Sequence, residues 1–253
     1  AESCEMLDRY TEIFPWEDLP ADAEGFDAGC GSGRWARLFA PRVGLLHCVD
    51  ASEAALDVAR EALSGHTNVE FRHEDLSSMG LADRTCDFGY CLGVLHHIPD
   101  TGHALATCVA KLKPGAPFLV YLYYDLQGRG WLQRRMFDVA TMVRAVVSRL
   151  PLRVRAVVTD VLAVVVYWPL ALVARLVEKI GWDPSLVPLF QYRNRSFYVM
   201  RNDALDRFGT RLEKRYSKEQ VRLLLEGAGL ENVTFSDGPP WWVAVGWRRS
   251  DCK

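Results

Sequence analysis

The chain has 253 residues, 49% of them hydrophobic and 25% charged, with 30 Lys and Arg against 32 Asp and Glu for a net charge of −2. This is the composition of a globular protein with enough chain for one large or two small domains, and it excludes a disordered or fibrous fold. The near balance of charge argues against a dedicated nucleic-acid binder, which usually carries a strongly basic domain.

The first 124 residues alternate short apolar runs with helical stretches. Glu24 to Asp27 leads into a glycine cluster, followed by a helix from about Arg34 to Phe39. Leu45 to Asp50 reads as a strand, and Ser52 to Leu63 as a helix capped by Ser52 with Leu56, Ala59 and Leu63 on one face. Asn68 to Arg72, Cys86 to Leu92 and Phe118 to Tyr124 are further strands, with a helix from Gly102 to Leu112 ahead of the Lys113-Pro114-Gly115 breaker. That rhythm predicts a doubly wound, mostly parallel sheet. From Leu126 to Trp182 strand signals vanish and long helical runs appear, broken by Pro151 and Pro169. Ser217 and Gln220 form a capping box for a helix that stops at Gly227 to Gly229, and Glu231 to Ser236 and Trp242 to Arg248 close the chain as an antiparallel pair. The expected domains are a core of residues 1–124 and 216–253, and a helical insertion at 125–215.

Seven scattered cysteines (Cys4, Cys30, Cys48, Cys86, Cys91, Cys108 and Cys252) form no C-x-x-C pair and no zinc spacing. They predict reduced thiols, a cytoplasmic protein and no metal site. No cationic start followed by an apolar run reads as a secretory leader.

Chemistry concentrates at the predicted strand ends. Asp27-Ala28-Gly29-Cys30-Gly31-Ser32-Gly33 is a strand-to-helix turn whose glycines let the backbone approach a ligand. It lacks the register of a dinucleotide fingerprint and the Gly-Lys-Ser/Thr of a phosphate loop. The acid two residues ahead of the first glycine suits a ligand carrying a cation. Asp50 ends the second strand, where a carboxylate can take ribose hydroxyls. Asp75 follows the third, where it can accept from an adenine amine while Leu76 offers its N–H. Each acid alone also reads as a cap or a solvated loop residue; the three at successive strand ends carry the argument together.

The runs GFDAGCGSGRWA, LHCVDAS, HEDL, DFGYCLGVLHHIPD and LKPGAPFLVYLYY resemble, in that order, the class I S-adenosylmethionine-dependent methyltransferases. The likeness covers Gly25 to Tyr124 and resumes from Ser217 to Arg248. It implies that Asp27, Gly29, Cys30 and Gly31 surround the methionyl part of the cofactor, with Asp50 and Ala51 at the ribose, Asp75 and Leu76 at the adenine, and Leu92 near the methionyl amine. Tyr10, in a segment that folds over the cofactor in this superfamily, and Arg34 are candidates for the methionyl carboxylate; a hydrophobic staple and a solvent-facing arginine compete with those roles. The turn Gly93 to His97 looks like that of small-molecule methyltransferases, including quinone C-methyltransferases. The Asn/Asp-Pro-Pro-aromatic and Pro-Cys motifs of DNA-base methylating enzymes are absent, so no nucleic-acid partner is expected.

The expected function is transfer of a methyl group to an oxygen or nitrogen of a small, partly apolar, anionic metabolite. His96 and His97 are candidate bases, against a reading in which one caps a helix and the other packs. Tyr124 is a third catalytic candidate, and Tyr123, Tyr192, Arg193, Arg195 and Trp241 are candidates for holding the acceptor. Two other functions compete: a cofactor-dependent reaction other than methyl transfer, and a docking protein with a vestigial acceptor site.

The stretch from Asp125 to Arg215 carries sixteen basic and eight acidic residues, so the overall balance conceals a split. Its longest uncharged run, Val161 to Ala174, is fourteen residues, short of the roughly twenty that span a bilayer. A lid over an apolar acceptor pocket, a peripheral membrane helix and a homodimer surface are the three readings of this insertion.

Overall fold

A computed structural model describes residues 7–125, 131–238 and 242–250. The chain divides into two compact units, one formed by Ala1–Asp125 with Lys214–Lys253 and the other by Leu126–Glu213.

The first unit is built on a seven-stranded sheet of β1 (Glu24–Ala28), β2 (Leu45–Asp50), β3 (Val69–His73), β4 (Phe88–Leu92), β5 (Pro117–Tyr121), β6 (Leu230–Phe235) and β7 (Val243–Arg248), in the order β3-β2-β1-β4-β5-β7-β6. The first five strands pair in parallel, and β7 runs antiparallel to both β5 and β6. Helices α1 (Ala36–Phe39), α2 (Glu53–Ala62), α3 (Thr101–Lys111) and α7 (Lys218–Gly227) accompany the sheet. Strand side chains alternate between its faces. Phe26, Ala28 and Phe118 pack in a core with Leu105, Val109, Val221 and Leu225 from α3 and α7. On the other face Leu46, Cys48 and Phe88 pack with Phe39 and Leu56 from α1 and α2. Strand order reverses between β1 and β4, so the crevice where a doubly wound sheet binds ligands opens at the carboxyl ends of these two strands.

Local sequence signals set the helix ends. Ser52 Oγ accepts from Ala55 N, Asp100 Oδ1 accepts from His103 N, and Ser217 and Gln220 form both bonds of the capping box. β5 is shorter than the expected Phe118 to Tyr124. Beyond Tyr121 the chain holds to Trp242 through paired Leu122 backbone bonds of 2.8 and 3.1 Å, and Tyr124 makes an isolated bridge to Tyr216. Cys86, expected inside the fourth strand, makes an isolated bridge to Leu112.

The second unit is helical, with α4 (Trp131–Val147), α5 (Leu152–Lys179) and α6 (Phe197–Gly209). Pro151 stands at the N-cap of α5, where it was expected to break the chain. Pro169 does not break it. Ala163–Tyr167 forms a π turn in which Trp168 N bonds back five residues to Ala163 O, and the helix runs through Pro169. The wider turn fits the proline ring and its missing donor without ending the helix. Tyr167, Ala171, Met200, Ala204 and Phe208 form this unit's own core, where Tyr167 Oη donates to Asp203 Oδ2 at 2.8 Å.

Candidate active site

The glycine turn leaves β1 at the switch point. Gly29 N and Cys30 N both donate to Val49 O, at 2.8 and 3.1 Å, which ties the turn to the end of β2. Gly29 has φ +83°, and a Cβ there would meet the Val94 side chain at 2.6 Å. Gly31, at φ +53°, has no protein atom within 4 Å of its Cβ direction. The first glycine is therefore required by packing and conformation together; the second leaves room for something to approach the backbone.

Beneath this turn lies Asp27, 1% exposed and in register with Tyr90 of β4. Burial raises its pKa from 3.8 to about 8; the Tyr90 hydroxyl beside it opposes that shift and the charge of Asp50 adds to it. Neither Asp27 Oδ2 nor Tyr90 Oη makes a hydrogen bond of normal geometry among the described residues. Buried polar atoms are ordinarily paired. An ammonium group would supply the missing donor and draw the acid into its charged form.

Asp50, half-buried at the end of β2, accepts from Gly31 N through Oδ2 and from Ser52 N through Oδ1, both at 2.8 Å. Each carboxylate oxygen can accept a second bond, so two lone pairs in a fixed orientation remain for a diol. Ala51 is exposed beside it. Asp75 caps a short 3-10 turn through a 2.7 Å bond from Ser77 N and is itself exposed, with Leu76 buried behind it. Leu92 is buried at the end of β4. Cys30 is also buried, its thiol pushed far above the usual range chiefly by a bond with Cys48 and then by burial. It packs and does not ionise. Arg34 lies 4.8 Å from the Trp35 ring centroid.

A band of aromatic rings continues across the ends of β4 and β5. Tyr10 stands 4.8 Å from Trp35 and 5.0 Å from Tyr121; Tyr121 meets Tyr123 at 5.7 Å, and Tyr123 stacks on His96 at 3.9 Å. His97 lies 4.2 Å from His96 and 5.9 Å from Tyr123. The two histidines differ sharply. His96 is fully buried, neither ring nitrogen has a partner among the described residues, and burial lowers its pKa to about 2, with the charges of His97 and Arg215 adding to the effect. It is a neutral stacking ring with little power to take a proton. His97 is half-exposed. Tyr124, also half-exposed, accepts from Arg215 Nη1 through its carbonyl at 3.1 Å.

The acceptor candidates beyond Tyr123 divide differently. Tyr192 is buried in the helical unit, 5.3 Å from Tyr167, so its ring serves that unit's packing. Arg193 pairs with Glu178 at 2.8 Å in the same unit, where Arg195 also lies, half-exposed. Trp241 falls outside the described residues. The basic residue beside the aromatic band is instead Arg215, 5.4 Å from the Tyr123 ring centroid. Its signal in the sequence is its place at the end of the basic stretch that runs to Arg215. Tyr90 and Tyr121 were missed, because an aromatic inside a strand gives no sign of which face it joins.

Residues 26–120 match the family model described as a methyltransferase domain. The chain is 29% identical over 107 residues to a ubiquinone biosynthesis O-methyltransferase of Coxiella burnetii, over 38% of this chain and 46% of that protein. The match thus spans less than half of that relative. A solved S-adenosylmethionine-dependent methyltransferase of Methanosarcina mazei superposes with TM-score 0.56 at 14% identity, over 93% of this chain and 96% of that one. A Haemonchus contortus phosphoethanolamine N-methyltransferase, solved with phosphomonomethylethanolamine and S-adenosylhomocysteine, superposes with TM-score 0.53 at 16% identity, over 92% of this chain and 37% of that one. With the glycine turn, the strand-end acids and the reversed strand order already in place, residues 26–120 carry a methyltransferase domain of the class I S-adenosylmethionine-dependent type.

Proposed function

We propose that the protein transfers the sulfonium methyl of S-adenosylmethionine to an oxygen of a small, partly apolar, anionic acceptor. The observation that carries this reading is Asp27 at the switch point, buried beneath the glycine turn with its Oδ2 lacking a hydrogen bond of normal geometry among the described residues. It fits the methionyl ammonium, and Asp50, already oriented by two backbone N–H groups, fits the ribose diol. The cofactor, when bound, supplies a methyl group that is already activated. What remains for the protein is alignment of the acceptor for in-line displacement, a proximity effect.

The residues beside that position divide the work. Tyr121 and Tyr123, backed by the buried His96 ring, offer an apolar, ring-lined wall that can hold a flat acceptor. Arg215 next to Tyr123 brings positive charge to the same wall, which favours an anionic acceptor. His97, on the more exposed side of the band, is the better candidate to receive a hydroxyl proton, because His96 resists protonation. An oxygen acceptor is favoured by the O-methyltransferases among the similar proteins.

Isothermal titration with S-adenosylmethionine tests the cofactor half. Binding by the native chain and at least tenfold weaker binding by Asp50→Ala are expected; no binding by the native chain would refute it. Incubation with hydroxylated aromatic acids tests the rest. One S-adenosylhomocysteine should form per methylated product, and cofactor consumption giving any other sulfur product would favour a different reaction.

A further inference from the structure

The helical unit exposes apolar surface on a scale the sheet-bearing unit does not. Of the twenty-two large hydrophobic residues exposed among the described residues, twenty lie within Leu126–Glu213. The concentration is greatest on α5, which is 28 residues long, yet only 22% of its most apolar 18-residue window is buried in the protein. A soluble amphipathic helix turns its large apolar side chains inward; α5 does the reverse. Its buried stripe is Thr159, Ala163, Tyr167, Ala171 and Ala174, mostly small, while Val161, Val165, Trp168, Leu172, Val173 and Leu176 are 44–60% exposed. Apolar patches of this extent mark a surface that something covers.

Charge indicates what covers it. Residues 126–213 hold fourteen basic against seven acidic side chains. Four of those acids are engaged inside the unit: Asp160 with Arg201, Glu178 with Arg193, Asp203 with Arg207, and Glu213 with Arg144. The surplus of seven opposes stacking two copies of this face and favours an anionic surface. Arg153 stands near the start of α5 and Arg175 and Lys179 near its end, bracketing the apolar stretch, with Trp168 within it and Trp182 just beyond. Basic ends that can snorkel and exposed tryptophans are the side chains that suit a lipid interface.

At 28 residues α5 is long and apolar enough to cross a bilayer, so the spacing of its charges and its packed side decide between lying on a bilayer and crossing it. The uncharged run from Val161 to Ala174 is about 21 Å long at 1.5 Å per residue, well short of the roughly 30 Å hydrocarbon core. Tyr167, 1% exposed and bonded to Asp203, keeps the packed side within the protein. From these observations we propose that α5 docks the protein in the plane of an anionic lipid surface, with the Val165, Trp168 and Leu172 side immersed in the headgroup and upper acyl region. This inference stands on the helical unit alone and does not depend on the methyl-transfer reading.

The test is co-sedimentation of the full chain with vesicles of phosphatidylcholine alone or mixed with phosphatidylglycerol. Binding is expected to the anionic vesicles, weakened by salt, and at least tenfold lower on phosphatidylcholine alone. Val165→Glu with Leu172→Glu, both at exposed positions, should lower anionic-vesicle binding at least tenfold. Unchanged far-UV circular dichroism and S-adenosylmethionine affinity would show that the variant is folded. Three results would overturn the proposal: no binding to anionic vesicles, a native dimer that the double variant dissociates, or vesicle-bound protein that resists alkaline carbonate, as a spanning helix does.

Discussion

Replacing Asp27 by Asn should stabilise the cofactor-free protein while abolishing cofactor binding. The folded pKa of about 8 against 3.8 means that folding the acid costs about 4 kcal/mol at pH 7 relative to an unperturbed carboxyl, through proton linkage. Because the folded value is the higher one, the folded state holds the extra proton. The penalty is therefore absent below about pH 4, grows as pH rises, and levels off above 8. His96 has the opposite sign: its folded pKa of about 2 makes stability fall as pH drops below 6.5, so the two groups oppose each other in acid. Between pH 6.5 and 8 Asp27 dominates, its loss of about 1.6 kcal/mol offset by about 0.4 as the unfolded His96 finishes losing its proton, so the native protein should lose about 1.2 kcal/mol across that window. The Asn variant should lose none. At pH 7 the variant's gain should be roughly 1–3 kcal/mol, because an unpaired Asn amide returns part of the benefit. Urea unfolding at pH 6.5, 7 and 8, followed by a probe in the sheet-bearing unit, measures all of these. Titrations at pH 7 in buffers of different ionisation enthalpy add a second readout: the native protein should release close to one proton as S-adenosylmethionine binds. A variant less stable than the native chain at pH 8, an unchanged pH slope, or binding with no proton release would refute the reasoning.

The two turn glycines should separate stability from binding. Gly29→Ala combines a φ of +83° with a 2.6 Å approach to Val94, and should cost roughly 2–5 kcal/mol in thermal unfolding. Gly31→Ala meets no protein atom and should cost only about 1–2 kcal/mol, yet weaken cofactor binding at least as much. For the histidines, His97→Asn should lower the methyl-transfer rate by roughly a hundredfold or more if it takes the proton, whereas His96→Phe should keep most activity by preserving the stack on Tyr123; the reverse order in steady-state rates would exchange their roles. In the helical unit Tyr167→Phe should cost about 1 kcal/mol in unfolding, since Asp203 keeps Arg207 as a neighbour at 3.6 Å.

Much of the fold was legible because its signals are local. The Ser52 and Ser217 caps, the glycine turn and the five strand-like runs each lie within a few residues, and the structure realises them with boundary shifts of one to three residues at most ends. What failed had its cause elsewhere in the fold. Pro169 should have ended a helix by its lost donor, but a π turn one residue upstream absorbed the defect. Tyr124 was expected in a strand because its residues favour one, yet β5 ends at Tyr121 and the chain pairs onward through Trp242 and Tyr216.

The sequence by itself determined where the acids and glycines of the candidate cofactor site stand, because a strand end followed by a glycine turn is a short-range pattern. It also determined that a basic, apolar helical segment interrupts the sheet-forming chain. Only the tertiary structure decided the state of each group: Asp27 buried beside Tyr90 and raised to about 8, His96 sealed and lowered to about 2, Tyr192 spent on packing, and Arg215 beside Tyr123. Protonation and exposure depend on neighbours distant in sequence, through desolvation and charge, and adjacent histidines alike in sequence become unlike when one is buried and the other is not.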